Sequence, residues 1–190
     1  NPFFERYYNS GVNHYLKIFK IQYYAFLSNF YHLDEVELNI SFKNVLKLEN
    51  ERSEALSRDP FAGGSSFQFS EVPAFIKSKK NQNDLKVRLR LKGDRNIHFD
   101  KESNTSYKID IRGENTLFGL SKFSLMKPRA RNYIHEWIFH ELLGEGNLIK
   151  LKYNFLDLKL NGISHGLYVL EEGFDKILLE RNERRNGPIF

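Results

Sequence analysis

Lys86-Val87-Arg88-Leu89-Arg90-Leu91-Lys92 alternates cation and aliphatic without a break. Side chains of a strand point to opposite faces in turn, so Lys86, Arg88, Arg90 and Lys92 share one face and Val87, Leu89 and Leu91 share the other. Ser106-Tyr107-Lys108-Ile109-Asp110-Ile111-Arg112 repeats the pattern, with Lys108, Asp110 and Arg112 opposite Tyr107, Ile109 and Ile111. If the two strands pair, cations crowd one sheet face around the single carboxylate of Asp110. Like charges on neighbouring strands repel. A bound anion would relieve that repulsion, and phosphate is the usual partner of Arg and Lys. A solvated outer face, with the long stems covering apolar surface, accounts for the same pattern.

Working outward, the neighbouring segments read as further strands. Residues 72–77 and 85–91 flank the polar run Lys79-Lys80-Asn81-Gln82-Asn83-Asp84, so they are expected to form a hairpin. Val36-Glu37-Leu38-Asn39-Ile40-Ser41-Phe42 alternates as a half-buried strand, and residues 122–126 form another. Residues 153–160 and 166–170 are strands joined across Asn161-Gly162, a strong hairpin signal. Helices are expected over 43–58, ended by Asp59-Pro60, over 131–143 after Pro128, and over 174–184. This order gives an α+β domain: a mostly antiparallel sheet with a helix packed on it.

The chain has 190 residues, enough for one domain with a real core. Its 17 Phe and 10 Tyr need burial, which argues against disorder. With no cysteine, disulfides, thiolate catalysis and Cys-ligated zinc are excluded. A net charge of +5 permits an anionic partner without requiring one. Residues 1–33 form an aromatic-rich lead-in, expected to be helical, and 34–190 the main domain. Within the lead-in, residues 15–31 are apolar and aromatic but interrupted by Lys17, Lys20 and Gln22. They are a packed amphipathic helix or an interfacial helix in contact with a membrane surface. Both ends of the chain look cut.

In the helix over 131–143, Ile134, Trp137, Ile138 and Leu142 make an apolar stripe. Glu141 continues that stripe, and a carboxylate there needs a cationic partner, with the basic strands as its expected source, unless the helix is ending there and Glu141 reaches water. His135 and His140 are five apart and diverge, so they are not a helical zinc pair. Gly166-Leu167-Tyr168-Val169-Leu170-Glu171-Glu172-Gly173-Phe174-Asp175 runs from a strand into an acidic pair and a helix start. Either Asp175 caps that helix or Glu171 meets a ligand at the strand end, and the cap is the expected role. No P-loop, dinucleotide-binding or nucleophile-elbow pattern is present, nor an RNA-binding or helix-turn-helix signature, so no nucleic-acid partner is expected.

Four segments together resemble the CotH family, the atypical kinases first associated with bacterial spore coats. Val87-Arg88-Leu89-Arg90-Leu91-Lys92-Gly93-Asp94 is similar to the family's R-L-K-G strand and turn. Ser106-Tyr107-Lys108-Ile109 is similar to its S-[YF]-[KR]-[IV] strand, although Asn104-Thr105 stand where the family has K-[KR]. Leu117-Phe118-Gly119-Leu120-Ser121-Lys122-Phe123-Ser124-Leu125 is similar to a third segment. Leu160-Asn161-Gly162, the run from Gly166 to Glu172, and Asp175 are similar to a fourth. Order and spacing agree from about 38 to 190.

The resemblance implies a kinase-like N-lobe, with residues 131–143 as its C-helix and a hinge near Glu171 and Glu172. It implies transfer of the ATP γ-phosphate, with Mg²⁺, to Ser or Thr of a protein substrate. Arg90, Lys92, Lys108, Glu141 and Glu171 would bind the cofactor, with Lys92 or Lys108 pairing with Glu141. The catalytic base and metal-binding Asp would lie beyond Phe190, so the segment alone is expected to be inactive and to hold no metal ligands. The implied setting is bacterial: cell surface, spore coat or membrane-associated. A different reading is a non-catalytic surface or scaffold module of the same fold that binds a partner or polyanion.

Overall fold

The apolar faces of the alternating strands turn inward on one another and close. This is a computed structural model, in which residues 33–57, 68–80, 83–93 and 105–185 are described, with Gln22, His98 and Gly187. The chain divides into two units, Asn1–Leu33 and Asp34–Phe190, and the closed sheet belongs to the second. The helix expected in the lead-in and the membrane contact expected of 15–31 lie outside the described residues, apart from Gln22 and Leu33. Among the described residues no helix is long and apolar enough to cross a membrane.

The strands are β1 (Asp34–Asn39), β2 (Val72–Ser78), β3 (Leu85–Leu91), β4 (Tyr107–Ile111), β5 (Lys122–Met126), β6 (Tyr153–Leu160) and β7 (Ile163–Glu172). They form a closed barrel in the order β1-β2-β3-β4-β5-β7-β6. All neighbours are antiparallel except β1 and β6, which run parallel and close the ring. Helix α1 (Phe42–Ser57) links β1 to β2. A 3₁₀ turn (Pro128–Arg131) and helix α2 (His135–Glu145) link β5 to β6, and α3 (Lys176–Arg181) follows β7.

The interior is built by the alternation. Leu38 faces Ile76 across β1–β2, Leu89 faces Ile109 across β3–β4, and Leu125 faces Leu170 across β5–β7. Val36 faces Leu158 across the closing pair. All eight are essentially sealed from solvent. Burying each such side chain is worth about 1.5–3 kcal/mol. Closure also removes the unpaired backbone rows that an open sheet would leave at its edges. Asn161, in the turn between β6 and β7, extends the seam: its Oδ1 accepts the Ile40 N–H at 2.7 Å and its own N–H donates to Leu38 O at 2.9 Å. Asn161 and Gly162 both take positive φ (49° and 81°), the hairpin geometry expected of this pair. In α1, Leu48 and Ala55 are buried and join the same core.

The barrel corrects the expected fold class. The chain is not an α+β kinase-like N-lobe with an open antiparallel sheet and a packed helix. The strand positions agree with those read from alternation, but the sheet rolls shut and its own side chains fill the interior. With Leu48 and Ala55 of α1 already joined to that interior, it is not open to the later helix over 131–143. The helix expected to pack as a C-helix therefore has one buried residue, His140, while Ile134, Trp137, Ile138 and Leu142 are exposed.

Candidate phosphate-binding face

The polar residues of the alternating strands lie on the outside of the barrel wall. There the register aligns five of them in one row across five strands: Arg90 on β3, Lys108 on β4, Ser124 on β5, Glu171 on β7 and Tyr153 on β6. The next row sets Arg88 beside Asp110 and Asp110 beside Lys122. Each of the four resembling segments contributes to these rows.

Arg88, Arg90, Lys108 and Lys122 line a cleft of about 310 Å³ together with two carboxylates, Glu71 and Asp110, and the exposed ring of Phe174. Lys122 Nζ lies 3.8 Å from Asp110. Among the described residues, no carboxylate lies within ion-pairing distance of Arg88, Arg90 or Lys108. Three neighbouring cations thus share a concave surface without an ion pair among the described residues, with Arg90 also reaching Leu91 O at 3.4 Å. They can offer a planar fork of donors from each Arg and an ammonium from Lys108, the donor set that suits phosphate oxygens.

At the head of the row stands a buried ion cluster. Lys92 Nζ donates to Glu171 Oε1 at 2.7 Å, and Arg131 Nε donates to Glu171 Oε2 at 3.0 Å. Burial would raise the Glu171 pKa, but the two cations outweigh it and hold the carboxyl below its ordinary value. Burial lowers the Lys92 pKa, against the pull of Glu171. Gly93, which follows Lys92, sits where the packing requires a glycine. Gly93 has φ +109°, and a Cβ there would lie 2.3 Å from the buried ring of His98. Only glycine fits, which gives the R-L-K-G segment its glycine.

Glu172, on the opposite face of β7, is sealed by other partners: it accepts from Arg181 and from the Lys152 N–H. Asp175 caps α3 by accepting the Leu178 N–H at 3.1 Å, and its other oxygen accepts from Ser121 Oγ at 2.7 Å. Behind Glu171, Tyr153 Oη and His140 Nε2 are buried without hydrogen bonds among the described residues. His140 Nε2 lies 3.7 Å from Glu136 Oε1, and burial lowers its pKa against the pull of that carboxylate. Burial likewise pushes the Tyr153 hydroxyl up.

Of the residues expected to bind a cofactor, Arg90, Lys92, Lys108 and Glu171 thus share this face. Glu141 does not. It is exposed on α2 and lies 3.6 Å from Lys150. The carboxylate that meets the strand lysine is Glu171, not the helical Glu141 expected to do so, because the exposed stripe of α2 turns Glu141 to solvent with it. Arg131 and Ser124 were not expected as site residues, while Arg88 was read on the cationic strand face without being named among the cofactor-binding residues. For Arg88 the alternation was the available signal, whereas Arg131 needed the fold. Among the described residues, no three His, Asp or Glu side chains converge as metal ligands. The donor chemistry of Arg88, Arg90 and Lys108 suits phosphate oxygens such as those of ATP, while among the described residues no set of ligands for Mg²⁺ stands beside them. No family model matches the chain, and no curated protein does.

Proposed function

We propose that this segment supplies the ATP-phosphate-binding part of a CotH-like protein kinase. The observation that carries the reading is the group of Arg88, Arg90 and Lys108, which make no ion pair among the described residues, in a cleft on the barrel wall beside Lys92 and its buried partner Glu171. The ordered resemblance supports it independently, because its four segments supply the residues of that face. ATP would bring the negative charge that offsets the crowding of Arg90 against Lys108, with charge-assisted hydrogen bonds each worth about 1.5–3 kcal/mol. Phosphoryl transfer to Ser or Thr of a protein substrate is the activity the resemblance implies. The test is transfer from γ-labelled ATP with Mg²⁺ by the protein and by its Lys92→Met and Lys108→Met variants. Loss of transfer in both supports the reading; full transfer in both removes it.

A second reading is a non-catalytic module that binds a polyanion through the same cations. The closed barrel favours it, since the fold is not the lobe that a kinase would be expected to use. Inorganic polyphosphate that binds while ATP does not would select this reading.

A further inference from the structure

We infer that Arg131 is a positioning residue of the phosphate-binding face and acts through Glu171 on Lys92; this rests on the reading proposed above. Glu171 is one carboxylate shared by two cations. Lys92 takes Oε1 at 2.7 Å, while Arg131 takes Oε2 through Nε at 3.0 Å and reaches Oε1 through Nη2 at 3.4 Å. The Glu171 side chain is only 9% exposed, so water does little to screen this competition. With Arg131 present, Glu171 neutralises one charge between two cations, and Lys92 keeps part of its attraction for an anion. Without Arg131, the carboxylate belongs to Lys92 alone and cancels it.

The backbone aims Arg131 at this task. It ends the turn Pro128–Arg131, whose Pro128 is buried and whose Ala130 packs against the cluster of Met126, Tyr153 and Val169. Two consecutive non-glycine residues follow in the left-handed region, Asn132 at φ 53° and Tyr133 at φ 64°. That conformation is unfavourable for an aromatic residue and persists only where the surroundings enforce it. The Tyr133 N–H donates to Pro128 O at 2.8 Å and fastens the turn. The strained link sets the direction in which Arg131 leaves the chain and leads into α2, whose buried His140 ring stands 6.0 Å from that of Tyr153.

The experiment is a double-mutant cycle on the full 190-residue chain, read as ATP affinity by calorimetry. Arg131→Ala should weaken ATP roughly tenfold, the scale of one lost charge-assisted contact. Arg131→Lys should recover part of that loss. In a Lys92→Met background, Arg131→Ala should change affinity less than about twofold, because the residue it acts on is gone. Equal losses in the two backgrounds would show that Arg131 acts as a distant charge and overturn the inference. An unchanged affinity in Arg131→Ala, with binding still lost in Arg90→Glu, would overturn it too and leave the parent reading intact. Absence of ATP binding by the unaltered chain would instead remove the parent reading. Far-ultraviolet circular dichroism of each variant keeps misfolding separate from lost binding.

Discussion

Lys92 Nζ meets Glu171 Oε1 at 2.7 Å across 79 residues of sequence, tying the end of β3 to β7 on the outer wall of the barrel. Both groups are largely buried, so each depends on the other for its charge. Removing Lys92 leaves Arg131 as the partner of Glu171, whereas removing the carboxylate leaves two cations facing each other. Glu171→Ala is therefore expected to destabilise the chain more than Lys92→Met, by about 3–5 kcal/mol against less than half of that. Urea unfolding of the two variants measures the order.

The same carboxylate sets an acid limit. Its pKa in the folded chain is held down by Lys92 and Arg131, so the folded state binds its proton less readily than the unfolded chain does. The stability it contributes is complete above the ordinary carboxylate pKa, about pH 4. It is lost as pH falls through the depressed value below that. Denaturation across the acid range should show this slope in the unaltered chain and a flatter one in Glu171→Gln.

His140 titrates in a higher window. Burial lowers its pKa; Glu136, Glu171 and Glu141 each pull the other way by less, and Arg131 adds to the lowering. The folded state therefore releases its proton before the unfolded chain does, as pH rises. The contribution is full above about pH 6.5 and falls as pH drops from there through the depressed value. Stability at pH 7.5 should exceed that at pH 5.5, and His140→Phe should reduce the difference. Because His140 is the one buried residue of α2, tryptophan fluorescence from Trp137 should report the same change.

Barrel closure rests on the β1–β6 seam. Leu158→Ala opens a cavity beside Val36 and is expected to cost about 2–5 kcal/mol. The cost of Asn161→Ala is expected to be smaller, about 1–3 kcal/mol, through the unsatisfied Ile40 N–H. Thermal unfolding of both variants tests this order. A seam that was merely peripheral would leave both melting temperatures unchanged.

The seam also marks how far local pattern reaches. Alternation showed where β3 and β4 lie and which side of each is cationic, because a period of two is written in neighbouring residues. The Asn161-Gly162 turn was legible for the same reason. Closure was not, since it depends on residues 34–38 meeting 156–160 in parallel, a pairing that no local period encodes. The misplacement of Glu141 follows from that one gap. Its helix carries an apolar stripe, and a stripe reads as buried unless the sheet it would cover is already filled from within. Arg131 stayed invisible for a different reason: it reaches Glu171 from a turn, where side-chain direction depends on two left-handed residues rather than on any repeat.

Arg90 and Lys108, neighbours across β3 and β4, are proposed to hold phosphate groups. Calorimetric titration of the 190-residue chain with ATP, at low and at moderate salt, tests this most directly. The expected result is saturable binding that weakens as salt rises and falls at least tenfold in Arg90→Glu/Lys108→Glu, since each reversed charge converts an attraction into a repulsion. ATP binding that is unchanged in this double variant, or absent from a folded unaltered chain, would contradict it.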